Sequence, residues 1–174
     1  MPNVQAIIKR HNIIASNNNT PKKESGRLCN CRKPDDCPMS GECLATNIIY
    51  EATVKTNNPA TEKLYIGQTS TTFKSRFANH KASFKHSSKA NQTELSKYVW
   101  QLKSAGKEYS ITWKIVRRAM SCITTSRHCG LCTAEKLCIL KGDTAKLLNK
   151  RSEIASSCRH RTKLYLSNFV RENG

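Results

Sequence analysis

No apolar run in this chain approaches the roughly 20 residues that span a bilayer. The stretch from Met1 to His11 holds only Ala6-Ile7-Ile8 as an apolar core, too short for a secretory signal, so an intracellular, nuclear chain is expected. Acidic residues are scarce as well: 12 Asp and Glu stand against 30 Lys and Arg, for a formal net charge of +18. A field of that sign attracts polyanions and raises their encounter rate, which points to nucleic acid, with an anionic membrane surface as the competing reading. Internal repeats are absent, and the one low-complexity feature is the run Asn17-Asn18-Asn19. At 174 residues the chain has room for one compact domain of roughly 100–150 residues and a small appendage. A second full enzyme does not fit.

Cysteine, by contrast, is abundant. Nine cysteines make an odd count, and a reducing compartment disfavours disulfides, so clustered Cys and His read better as zinc ligands. Cys29, Cys31, Cys37 and Cys43 follow the pattern Cys-x-Cys-x5-Cys-x5-Cys, with Pro34, Pro38 and Gly41 enforcing turns. Closing a tetrahedron around zinc would fold this polar segment without a hydrophobic core. Cys129-x2-Cys132 and Cys158-x-His160 form two further half-sites, for which Cys122 or His128 are substitute ligands and buried thiols the alternative. Cys138 falls on an apolar helix face and reads as core.

Residues 1–28 are polar and read as a short helix followed by a flexible linker, ahead of a Cys-rich knuckle over 29–45 and one domain over 46–170. Apolar and β-branched residues dominate from Ile48 to Val54 and again from Leu64 to Thr69, and the intervening Asn57-Asn58-Pro59 makes this a hairpin. Ser70 is the expected cap of a helix whose Phe73, Phe77 and Phe84 form one stripe. A second amphipathic helix starts near Thr93, carries Leu95, Tyr98, Val99 and Leu102 on one side, and stops at Gly106. Ile111, Trp113 and Ile115 alternate with polar residues, as in a third strand. A helix after Cys129 runs to about Lys141 before Gly142, a shorter helical piece carries Leu147 and Leu148 to Asn149, and Leu164, Leu166 and Phe169 pack back on the domain.

Several residues in this frame could carry chemistry. Glu135 falls in the middle of the apolar stripe made by Leu131, Ala134, Cys138 and Ile139. A carboxylate there needs a partner, either a cation from one of the many Lys and Arg residues or a metal ion. Arg76 and His80 lie one turn apart at the edge of the phenylalanine stripe. A guanidinium grips phosphate bidentately, and an imidazole can position water or shuttle a proton. Each also has a plain reading, a solvated cation for Arg76 and a hydrogen-bonded residue beside the core for His80. Tyr50 and Tyr65 occupy corresponding places in the hairpin, where cross-strand packing is the simple reading. A phenol becomes a useful base only where cations or a metal lower its pKa, which so basic a chain permits. Lys74, Lys81, Lys85, Arg117 and Arg118 are candidates for phosphate contacts, or are simply solvated.

Taken in order, Ile49-Tyr50, Tyr65-Ile66-Gly67, Arg76, His80, Glu135 and Asn149 resemble the motifs of the GIY-YIG nuclease family, over roughly residues 47–150. More narrowly, the runs CNCRKPDDCPMSGEC, NIIYEATV, LYIGQTSTTFKSRFANH, TELSKYVWQLK, CGLCTAEK, LLNKRSE and CRHRTK are similar to the carboxy-terminal endonuclease region of Penelope-like retroelements. The resemblance implies an α+β fold, with a small three-stranded antiparallel sheet flanked by helices behind the zinc knuckle. It implies a nickase acting on double-stranded DNA, with Mg2+ or Mn2+ held by Glu135. Tyr50 would activate water, Tyr65 and Arg76 would position the scissile phosphate, His80 would assist proton transfer, Asn149 would support the site, and Gly67 would allow close backbone approach to substrate. The family's first motif begins with glycine where this chain has Ile48. A binding module that keeps the fold without cleaving is the alternative.

Overall fold

The computed structural model describes residues 28–57, 59–120, 129–155, 158 and 160. The leader over 1–27, Cys122, His128 and the closing Leu164, Leu166 and Phe169 lie outside the described residues. β1 (Ile48–Asn57) and β2 (Ala60–Thr69) form the expected hairpin, and β3 (Tyr109–Arg118) pairs antiparallel with the other side of β1. Strand order is therefore β2-β1-β3, with β1 central and β2 at one edge. Among the described residues three α-helices accompany this sheet: α1 (Phe73–Lys85), α2 (Glu94–Ser104) and α3 (Gly130–Lys141). Among the described residues no helix is long and apolar enough to cross a membrane.

Ile48, Ile49 and Tyr50 are all fully buried because the central strand is covered on both faces. Alternation sends Ile48, Tyr50, Ala52 and Val54 into a core with Phe73 of α1 and Leu95, Val99 and Leu102 of α2. Ile49 and Ile66 face the other way, against Leu131, Cys132, Ala134 and Ile139 of α3. The hairpin is longer than its apolar pattern predicts. Its polar end is held by cross-strand pairs, Thr56 Oγ1 to Thr61 Oγ1 at 2.7 Å and Lys55 to Glu62 at 3.5 Å.

Register also revises the expected pairing of the tyrosines. Tyr50 stands opposite Gly67, while Tyr65 stands opposite Ala52, so the two phenols share a face diagonally. Asn47, just before β1, has a positive φ of 51°, and the β1–β3 register shifts between Ile49 and Tyr50. The chain thus enters this motif through an irregular turn at the residue before Ile48.

Thr72, not Ser70, caps α1: its hydroxyl accepts from the Ser75 N–H at 3.3 Å. The earlier position is unsuitable because β2 continues to Thr69, whose hydroxyl donates to the Thr71 carbonyl at 3.1 Å. Along α1 the buried face includes His80, placed inside the phenylalanine stripe where the spacing put it at the edge. α2 starts at a capping box between Thr93 and Ser96, and it ends with Gly106 at φ 62° while the Lys107 N–H reaches the Leu102 carbonyl at 2.9 Å.

Two segments outside the helices complete the frame. Knuckle carbonyls accept from the first turn of α1, with Phe73 N–H on Ala45 O at 2.9 Å and Lys74 N–H on Cys43 O at 2.7 Å. Its Met39, Cys43 and Ala45 share the core of Ile48 and Tyr50. The helical piece expected through Leu147 and Leu148 is not helical. Leu147 makes a parallel bridge to Leu64, whose N–H reaches Lys146 O at 2.9 Å and whose carbonyl takes the Leu148 N–H at 2.7 Å. An edge strand has outward N–H and C=O groups that need partners, and this need overrides the local helical pattern.

Candidate active site and metal centres

The Tyr50 phenol is the centre of a buried polar cluster. Its oxygen lies 2.8 Å from His80 Nε2 and receives the Arg76 Nε–H at 3.0 Å. A guanidinium can only donate, so the Tyr50 oxygen accepts from Arg76, while the direction of its bond to His80 Nε2 follows the imidazole tautomer. Phe73 and Trp113 pack on the Tyr50 ring with centroids at 5.2 and 5.9 Å, and Trp113 lies 5.2 Å from the His80 ring. Tyr65 completes the group, with its ring 6.1 Å from that of His80 and its phenol on Arg76.

Burial sets the protonation states. It pushes the His80 pKa down to about 3, helped by the nearby Arg76 charge, so the imidazole is neutral near pH 7. The same burial raises the Tyr50 pKa and outweighs the opposing pull of Arg76. A basic chain permits cations to lower this phenol, and Arg76 does pull that way, but Tyr50 is fully enclosed and a phenolate there loses its hydration. Burial disfavours the Arg76 charge, yet Tyr50 and Tyr65 more than compensate, and the guanidinium pKa rises.

Gly67 has a specific steric job in this cluster. A Cβ added there would sit 2.5 Å from Tyr50 Oη and 2.6 Å from its Cζ. The Tyr50 ring end fills the space that any side chain at position 67 would occupy, so the close approach is to Tyr50 of the neighbouring strand.

Glu135 comes from the other face of the sheet. It is half-buried on α3, and its Oε2 accepts from Gln68 Nε2 at 2.8 Å. Gln68 and Gly67 are neighbours on edge strand β2 with side-chain positions on opposite faces, so one strand carries both halves of the group. The Glu135 charge still acts on the Tyr50 phenol, as the smallest of the four influences on its pKa. Asn149 is buried and clasps the same strand, with Oδ1 taking the Ile66 N–H at 2.7 Å and Nδ2 donating to the Ile66 carbonyl at 2.9 Å. It positions β2 through its backbone.

The candidate phosphate contacts do not gather at this cluster. At about 100° per residue, Lys74, Lys81 and Lys85 share one stripe on α1, roughly 140–180° around from Arg76. Lys74 is tied to the knuckle through Asn30 Oδ1 at 2.6 Å, and Lys81 lies 5.6 Å from the centroid of the Phe77 ring. Arg117 and Arg118 are exposed on β3, the opposite edge from β2, and Arg118 pairs with Glu42 at 2.8 Å. No family model, curated protein or solved structure matches the chain. Function must therefore be argued from these side chains.

Two further groups can each hold a metal ion such as zinc. In each, the four ligand atoms lie within 4.8 Å of one another: Cys29, Cys31, Cys37 and Cys43 in the knuckle, and Cys129, Cys132, Cys158 and His160 beside α3. Zn–S bonds of about 2.3 Å in a tetrahedron require sulfurs about 3.8 Å apart. Cys43 Sγ lies 3.5 Å from Cys29 Sγ and 3.7 Å from Cys31 Sγ, close to that edge. In the second group the His160 Nδ1 is 3.6, 3.3 and 3.7 Å from the sulfurs of Cys129, Cys132 and Cys158. The two half-sites that the spacing left apart are thus joined. Backbone N–H groups support the knuckle sulfurs, as Gly41 does for Cys37 at 3.1 Å and Cys31 does for Cys29 at 3.3 Å.

Gln68 and Trp113 are the participants that pattern reading missed as site residues. Trp113 was legible only as one apolar position of a strand. Gln68 follows the Tyr65-Ile66-Gly67 motif directly, which was its one available signal.

Proposed function

We propose that this chain is a divalent-metal-dependent DNA endonuclease of the GIY-YIG type, nicking phosphodiester bonds as its likeness to Penelope-like retroelement endonucleases implies. One observation carries the reading: Tyr50, Tyr65, Arg76 and His80 form a single contact group, and the strand that supplies Tyr65 and Gly67 also grips Glu135. Unrelated core residues have no need of a cation, two phenols and an imidazole in one group, with a carboxylate across the same edge strand close enough for its charge to act on Tyr50.

A hard divalent cation suits the donor, since Mg2+ keeps several waters and is commonly bound by one or two carboxylates. Glu135 would hold Mg2+ or Mn2+, which when bound would supply charge neutralisation at the phosphate and acidify water. Arg76, kept charged by both tyrosines, binds the scissile phosphate and stabilises charge building on it. Tyr65 and Tyr50 hold Arg76 in position, and His80 Nε2 braces the Tyr50 phenol. Asn149 fixes the strand that carries Tyr65. The zinc centres stabilise the fold, while the basic stripe of Lys74, Lys81 and Lys85 and the Arg117-Arg118 end of β3 contact flanking phosphates.

A second reading has its own support. Tyr50 is fully enclosed, its pKa is raised, and a His80 with a pKa of about 3 is a feeble proton acceptor. Those features suit a zinc-stabilised module that binds nucleic acid without cutting it. Relaxation of supercoiled plasmid separates the two. The nuclease reading expects Mg2+-dependent nicking that Glu135→Ala slows at least about a hundredfold, because several kcal/mol of charge stabilisation disappear at about 1.36 kcal/mol per decade. Tight, steeply salt-dependent binding with no metal-dependent nicking would establish the module instead.

A further inference from the structure

One side chain lies between the candidate catalytic carboxylate and the second metal centre. Gln68 Nε2 is 2.8 Å from Glu135 Oε2 and 3.5 Å from Cys132 Sγ, so its two N–H groups serve both. The amide cannot be turned over, because Oε1 would then face a carboxylate and a sulfur that both need donors. This orientation leaves Gln68 Oε1 buried without a hydrogen-bond partner, and it is the one buried side-chain N or O atom in that state among the described residues. Buried acceptors are almost always satisfied, so this unpaired oxygen shows an amide held in place by the two bonds that it donates.

We propose that Gln68 is a positioning residue that ties Glu135 to the Cys129, Cys132, Cys158 and His160 centre and so sets the carboxylate that takes the divalent ion. The inference rests on the reading of Glu135 as the holder of that ion. It gives the second zinc-type centre a role beyond fold stability. Loading that centre fixes Cys132, Cys132 fixes the Gln68 amide, and the amide sets the carboxylate. Partners of this outer-shell kind change metal affinity by about 10–100-fold when removed.

The test is Mn2+ binding to the full zinc-loaded chain, followed by electron paramagnetic resonance. Gln68→Met keeps the length and packing of the side chain and removes both polar functions. The expected result is Mn2+ affinity at least about tenfold weaker, with zinc content unchanged, and a lower kcat at unaltered KM for plasmid. Unchanged Mn2+ affinity in Gln68→Met, alongside a clear loss in Glu135→Ala, would overturn the role of Gln68 and leave the Glu135 reading standing. Unchanged affinity in both variants would refute Glu135 as the ion holder, and the Gln68 role with it. A second measurement needs no variant: the side-chain amide resonances of Gln68 in the wild-type chain should move on addition of Mg2+. Their failure to respond while Mn2+ binds at Glu135 would also overturn the proposal.

Discussion

Substituting Gly67 by alanine tests how the site is assembled. The added Cβ would lie 2.5 Å from Tyr50 Oη and 2.6 Å from Cζ. Carbon atoms settle at about 3.5–4.0 Å, so something must retreat by roughly an ångström. Gly67 is not at a positive φ, so the cost comes from space and not from backbone conformation. Tyr50 has nowhere to go, being fully buried with Phe73 and Trp113 against its ring. Overpacking of this sort costs about 1–3 kcal/mol, and displacing the phenol also gives up its bonds to Arg76 and His80 at about 1 kcal/mol each. The expected loss in equilibrium urea unfolding, followed by tryptophan fluorescence, is about 3–5 kcal/mol. In a Tyr50→Ala background the same substitution should cost at least about 1 kcal/mol less, since the clash is gone. Tyr50→Phe should relieve it only in part, because Cζ remains. A Gly67→Ala chain as stable as wild type, or one whose loss is the same in both backgrounds, would refute the steric account.

Other outcomes follow from the remaining geometry. Metal analysis of reduced protein is expected to give two zinc ions per chain, with Cys43→Ser and Cys132→Ser each losing one; a chain without zinc would refute both centres. His80 binds a proton less readily folded, at about 3, than unfolded, at about 6.5, so its stabilising contribution is complete above pH 6.5 and is lost as pH falls towards 3. Wild-type stability should therefore drop more steeply than that of His80→Gln between pH 6.5 and 4, by up to about 1.36 kcal/mol per unit; parallel profiles would show that folding does not depress the His80 pKa. Asn149→Ala strands the N–H and C=O of Ile66 and should cost about 1–3 kcal/mol in the same unfolding assay, with a difference inside about 0.5 kcal/mol counting against the clasp.

Much of the framework could be read from local pattern. A β-branched apolar run marked β1, alternation marked β3, Thr93 and Gly106 marked the ends of α2, and Gly142 marked the end of α3, because these signals act within a few residues along the chain. The cysteine spacing of the knuckle likewise fixed a ligand set that its turns then assemble. Leu147 shows where such reading stops: a helical pattern yielded to the open hydrogen-bonding edge of Leu64, some eighty positions earlier in the chain.

Tertiary structure alone decided the electrical state of the site. Sequence placed His80 at the border of an aromatic stripe and set Tyr50 in a strongly basic chain. Packing under Phe73 and Trp113 instead left the imidazole neutral and the phenol protonated. The link from Cys132 through Gln68 to Glu135 also arises only when α3 docks on β2. Periodicity is a property of neighbours along the chain, whereas desolvation and hydrogen-bond partnership depend on which distant segments exclude water from one another.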